Sequence, residues 1–167
     1  MDTGITKFDH NIKEEIFLKN KGFSLIEVCI AIALIGIMVS IGGHSAKKYL
    51  ANGKNTKAIV TLNVVRTASQ LYYTVNGKPV YVDGEDSVTT IKKLKEYMDK
   101  KTFENIKDGK INIGGAKSDN KTYYGGYVEL TFKNPDEEAE ENDGIYLYLK
   151  GVGDKIYDLG GKKWSEY

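Results

Sequence analysis

Glu27 is the residue with the most chemistry to explain. It lies near the start of Phe23–Gly43, the one membrane-length apolar run of the chain, and is preceded by Lys21-Gly22-Phe23-Ser24-Leu25-Ile26. A charged side chain in a transmembrane helix costs about 2.5–3.5 kcal/mol even on lenient insertion scales, so it calls for a partner or a function. No cationic side chain is encoded within the run to balance it. Other chemistry is sparse. With only His10 and His44 available, and with no Ser/His/Asp set, metal-ligand spacing or phosphate loop after the run, a histidine-based active site is close to excluded.

The element that positions Glu27 is a helix. Over Phe23–Gly43, at about 1.5 Å per residue, it is about 30 Å long, the thickness of a bilayer's hydrocarbon core. Leu25, Ile26, Val28, Ile30, Ile32, Leu34, Ile35, Ile37, Met38, Val39 and Ile41 place apolar groups on every side of it. Such a helix is a membrane span or the centre of a large core, and the remainder of the chain is too short and too polar to wrap it. A secretory signal peptide has a short basic start, an apolar stretch of about 7–15 residues and a small-x-small cleavage site. Met1–Gly22 instead mixes Lys7, Lys13, Lys19 and Lys21 with Asp2, Asp9, Glu14 and Glu15, and the apolar run begins abruptly after a glycine. A plain signal anchor also fits the run. The lysines on its two sides, with Lys47, Lys48, Lys54 and Lys57 following it, tie on the positive-inside count.

Lys21-Gly22-Phe23-Ser24-Leu25-Ile26-Glu27-Val28, followed by an apolar stretch, resembles the class III signal sequence of type IV pilins and of the type II secretion and competence pseudopilins. The resemblance implies a prepilin whose leader, Met1–Gly22, is removed by prepilin peptidase between Gly22 and Phe23, with Phe23 then N-methylated. Gly22 suits that cut, since a residue without a side chain lets the backbone lie extended close to a protease's catalytic groups. The new α-amine, titrating near ~7.7–8.0, would be mostly cationic at neutral pH. Glu27, one turn further on, would supply the opposite charge and register an incoming subunit against one already docked. The competing reading is an acid at a helix N-terminus favoured by the macrodipole, worth about 0.3–1 kcal/mol at exposed sites. The resemblance also orients the span, with the N-terminus cytoplasmic and the C-terminal region outside. Its implied partners are other pilin subunits, a pilus assembly platform protein and ATPase, and the cytoplasmic membrane before assembly.

Beyond the span, Ala58, Leu62, Val65, Ser69 and Tyr72, with Leu71 beside them, mark an amphipathic helix facing a sheet. Asn76-Gly77 and then Pro79 end it, so one helix is expected from Ser24 to about Val75. Many pilins bend this helix at a proline near the membrane exit. Here Gly36, Gly42 and Gly43 are the expected points of flexibility, with close helix packing as their competing role. Asp86-Ser87 opens a second helix to about Lys100, with Ile91, Leu94, Tyr97 and Met98 on one face. Strands are expected over Lys110–Ile113, Tyr123–Lys133, Gly144–Lys150 and Lys155–Leu159, several with the period-two alternation of a half-solvated antiparallel sheet. The expected class is therefore α+β, and the resemblance implies the type IV pilin fold. The regions are a leader at 1–22, a transmembrane or filament-core helix at 23–43, its amphipathic continuation at 44–77, and a globular head at 78–167.

A net charge of +1 gives no electrostatic reason to expect nucleic-acid binding. Cys29, the sole cysteine, lies in the span, which excludes an intrachain disulfide. The single arginine, Arg66, among many lysines, with abundant isoleucine, asparagine and tyrosine, leans toward a low-GC Gram-positive bacterium such as a clostridium. Tyr123, Tyr124, Tyr127, Tyr146 and Tyr148 suit sheet packing, with a subunit contact or an adhesive face as the alternative. The acidic stretch Asp136–Asp143 reads as a solvated hairpin loop. Calcium there is the competing reading, but the spacing supports no assignment of metal ligands. The functional expectation is a structural subunit without cofactor or enzymatic activity. The alternatives are a pseudopilin and a membrane-anchored surface protein that never polymerises.

Overall fold

The computed structural model describes residues 22–119, 121–136 and 143–167. The chain divides into two compact units, Met1–Ser45 and Ala46–Tyr167. Helix α1 (Leu25–Asn76) supplies the described helical residues of the first unit and the opening helix of the second. Within the first unit its apolar side chains, Leu25 to Ile41, are exposed. It is the one helix among the described residues long and apolar enough to cross a membrane, by length and composition. The helix ends as its sequence dictates. Gly77 takes the left-handed conformation at φ +67° and donates its N–H to the Tyr73 carbonyl at 2.8 Å.

In the second unit α1 buries Ala51, Asn55, Ala58, Leu62, Val65, Ala68 and Ser69, the three-and-four spacing of one helical face. Leu71 departs from the expected inward face and is 47 % exposed. Against that face pack Ile91 and Leu94, the strand residues Val128, Leu130 and Leu149, Phe132 and Leu147 beside the strands, and Trp164 near the C-terminus. Burying each such aliphatic or aromatic side chain contributes about 1.5–3 kcal/mol.

The expected second helix is interrupted. Helix α2 (Ser87–Lys93) starts at Asp86, whose carboxylate accepts the Thr89 N–H at 3.2 Å. It tightens into a 3₁₀ turn at Leu94–Tyr97, Met98 is extended, and Asp99 caps helix α3 (Lys100–Ile106) by accepting the Thr102 N–H at 2.9 Å. An aspartate before Lys-Lys-Thr is worth more as a cap than in a helix interior, which is why one expected helix became two.

The strands are β1 (Lys110–Asn112), β2 (Gly115–Ser118), β3 (Lys121–Tyr124), β4 (Tyr127–Thr131) and β5 (Tyr148–Lys150). They form an antiparallel three-stranded sheet, β1-β4-β5, and an antiparallel β2-β3 pair. The expected strand Tyr123–Lys133 is thus two strands, parted at Gly125 and Gly126 with φ of +82° and +103°. Gly125 N–H to the Gly114 carbonyl (2.7 Å) and Ile113 N–H to the Gly126 carbonyl (3.0 Å) carry the same register across the break. β1-β2 and β3-β4 are therefore one long hairpin, bent in the middle.

The bend has a cause in α1. A Cβ on Gly114 would lie 2.0 Å from the Ala51 carbonyl oxygen, so the hairpin touches the helix backbone there. Buried Asn55 fastens the contact. Its Oδ1 accepts the Gly114 and Gly115 N–H groups at 2.8 and 3.2 Å, and its Nδ2 donates to the Gly115 carbonyl at 2.9 Å. The other two expected strands also shrink. Ser69 and Arg66 on α1 take the Ile145 and Leu147 carbonyls at 2.7 and 2.9 Å, leaving only Tyr148–Lys150 in the ladder. Lys155–Leu159 makes isolated bridges through Tyr157, to Lys117 and Lys163, and no strand.

Candidate processing and assembly site

Gly22, Phe23 and Ser24 precede the first helical residue, Leu25. Ser24 is the N-cap. Its carbonyl accepts the Val28 N–H at 3.2 Å, the first bond of the helix, and its Oγ accepts the Ile26 N–H at 3.4 Å. Glu27 reaches back, and its Oε2 accepts the Ser24 N–H at 2.8 Å. This reciprocal arrangement is a capping box. The Ser-x-x-Glu spacing that signals it stands in the sequence, yet reading Glu27 as a counter-charge, or as an acid favoured by the macrodipole, missed Ser24 as its partner.

The structure thus brings Glu27 to Ser24 and gives its carboxylate a partner. That partner is neutral. A peptide N–H satisfies one oxygen without cancelling the charge, so the demand for a cation stands. Phe23 is 87 % exposed, and a Cβ added to Gly22 would meet nothing within 4 Å. α1 stays helical through Gly36, Gly42 and Gly43, where an added Cβ would likewise meet nothing within 4 Å.

Residues 18–43 match the family model of the prokaryotic N-terminal methylation motif. The chain carries a type IV prepilin-like signal. With the α+β architecture of a long N-terminal helix and an antiparallel sheet, this signal supports a type IV pilin-like or pseudopilin protein. The motif implies processing by a prepilin peptidase and assembly with other pilin subunits, and the apolar helix suggests membrane anchoring before assembly. No solved structure matches the chain.

The chain has a second notable surface, on α1 within the Ala46–Tyr167 unit. From Val60 to Asn76 its only charged residue is Arg66. Arg66 is turned inward. Its Nε donates to the Leu147 carbonyl at 2.9 Å, an Nη to the Tyr167 carbonyl at 2.6 Å, and its guanidinium lies 4.0 Å from the Tyr146 ring centroid. Partial burial pushes its pKa down from the ordinary arginine value. The outward residues Val60, Asn63, Thr67, Gln70, Leu71 and Thr74 are exposed and uncharged. Thr67 and Thr74 spend their hydroxyl protons on the carbonyls four residues back, each at 2.9 Å. A solvated helix face is ordinarily rich in charge, so this strip has the composition of a packing surface.

Of the acidic stretch, Glu137–Asn142 lie outside the described residues. Its flanks are engaged locally. Asp136 accepts from Ser165 Oγ and from Lys163 Nζ, which hold its carboxyl below the usual range. Asp143 Oδ1 accepts the Ile145 and Tyr146 N–H groups at 2.8 and 2.9 Å. No cluster of three or more metal-ligating side chains occurs among the described residues.

Proposed function

We propose that this chain is a type IV pilin, cut between Gly22 and Phe23, N-methylated on Phe23, and polymerised through α1 into an extracellular filament serving adhesion, motility or biofilm formation. The observation that carries this reading is Glu27, a carboxylate held in a capping box at the head of an uncovered apolar helix. After cleavage the cationic amine of Phe23 stands within a turn of it. Pairing with the amine of a neighbouring subunit offsets the cost of burying both ions, whereas a lone buried charge costs about 3–5 kcal/mol. The uncharged strip of α1 extends the same packing chemistry beyond the span. Gly36, Gly42 and Gly43 serve as points where the helix yields or packs closely during assembly. The assembly platform protein and its ATPase act on this helix before the subunit leaves the membrane.

Mass spectrometry of the mature protein tests processing, with a methylated Phe23 as the expected first residue. An intact Met1 in surface material would overturn the reading in favour of a plain anchor. Electron microscopy of sheared surface fractions tests polymerisation. Micrometre-scale fibres containing the chain are expected, and their absence from a strain that processes the protein normally would leave only a pseudopilin or a monomeric role.

A further inference from the structure

The Ala46–Tyr167 unit contains a cleft of about 240 Å³ to which nothing above assigns a role. One wall is α1, carrying Lys54 and Lys57, and the facing residues are Asn105 and Asn112, over a floor that includes Ile106 and Ile111. Residues three apart on a helix are surface neighbours, with Cβ atoms about 5–6 Å apart, so the two ammonium groups can converge on one anion.

Among the described residues neither lysine has a compensating partner. Some lysines of this unit pair with carboxylates, as Lys93 with Glu85, Lys107 with Glu104 and Lys133 with Asp83, or lie over tyrosine rings, as Lys47 and Lys110 do, while Lys48 and Lys95 are, like these two, without such a partner among the described residues. The acid beside Asn105, Glu104, is already paired with Lys107 at 2.8 Å. Asn105 and Asn112 are exposed, and their side-chain amides form no hydrogen bond among the described residues. An apolar floor with a few uncommitted polar groups around it is the composition of a small-ligand site.

We infer that this cleft binds a phosphate ester of a small polyol. Two ammonium groups, with three donors each, suit a tetrahedral dianion better than a single carboxylate. Each amide offers both a donor and an acceptor, the complement of a hydroxyl, while the isoleucines cover a C–H face. The volume falls below the ~300–1,000 Å³ of pockets for drug-sized ligands, which limits the occupant to about one polyol unit. Such a group can come from a phosphodiester polymer of the cell surface or from the headgroup of an anionic lipid.

The test is calorimetric titration of the full chain in detergent micelles with glycerol 3-phosphate, glycerol and inorganic phosphate. Glycerol 3-phosphate should bind saturably in the millimolar range or tighter and glycerol should not. K54Q/K57Q should weaken binding at least about tenfold, and K48Q, on the same helix outside the cleft, should leave it unchanged. N105A/N112A should bind glycerol 3-phosphate no better than inorganic phosphate. A soluble poly(glycerol phosphate) and nanodiscs containing phosphatidylglycerol then separate the two sources, and lysine-dependent binding of either supports the site. Unchanged affinity in K54Q/K57Q, no saturation by about 10 mM glycerol 3-phosphate, or equal lysine-dependent binding of a polyglutamate peptide would overturn it.

Discussion

At Glu27 two roles share one carboxylate, and they can be separated chemically. Glutamine serves in a capping box as glutamate does, since its amide oxygen can still accept the Ser24 N–H, but it carries no charge. E27Q should therefore keep the helix start and normal leader removal while incorporation into filaments falls sharply. E27A should lose both the cap and incorporation. Immunoblots of membrane and sheared fractions would check this, and wild-type fibre content in E27Q would refute the charge-pairing role. Arg66 is the other residue whose loss is felt beyond its own position. R66M removes two charge-assisted hydrogen bonds and a ring contact, leaving the Leu147 and Tyr167 carbonyls short of a donor. A loss of about 2–4 kcal/mol in stability is expected from chemical denaturation.

Among the elements, the bent hairpin is the most constrained. Its midpoint meets α1 backbone to backbone, so G114A must displace either the hairpin or the helix, and N55A leaves two buried N–H groups and a carbonyl unsatisfied. Each should cost about 2–4 kcal/mol, G114A through overpacking and N55A through lost partners. Thermal unfolding of the purified protein would show it, and an unchanged midpoint for G114A would mean that the contact yields freely. These elements also mark the limit of what was legible. Alternation in Val128, Leu130 and Phe132 and the three-and-four spacing in Ala58, Leu62 and Val65 are local, and both faces appear as expected. The break at Gly125-Gly126 depends on where Gly114 meets Ala51, two residues far apart in sequence, and no local pattern encodes that meeting. The shortened β5 has the same origin, because its missing ladder partners are side chains of α1. The second aspartate cap, at Asp99, was local and readable, and was outweighed by the apolar periodicity through Met98.

For the whole molecule, charge is plentiful but nearly balanced, at net +1, and among the described residues no charged side chain is buried. Asp83, Glu85, Asp99, Glu104 and Asp136 all titrate below their ordinary values, chiefly through side-chain hydrogen bonds, from Lys133, Lys93, Thr102, Lys107 and Ser165 respectively. A carboxylate depressed in the folded state stabilises above its unfolded pKa, and that contribution is lost as pH falls through the folded value. The melting temperature should thus be nearly flat from about pH 7 to 5 and decline below about pH 4, modestly because these groups are exposed. A decline beginning near pH 6 would point elsewhere. The span and its signal were legible from the sequence because apolarity and spacing are enough to define them. The strip from Val60 to Asn76 was not singled out, since it announces itself by the absence of charge. That absence has a practical consequence for anyone handling the Ala46–Tyr167 unit by itself. Without the span it still presents a helix face with nothing to keep copies apart, so the fragment should self-associate as concentration rises. A lysine at Val60 or Leu71 should restore a monomer in sedimentation velocity. Solubility of the head and its capacity to pack in a fibre would then be opposing demands on a single strip of helix.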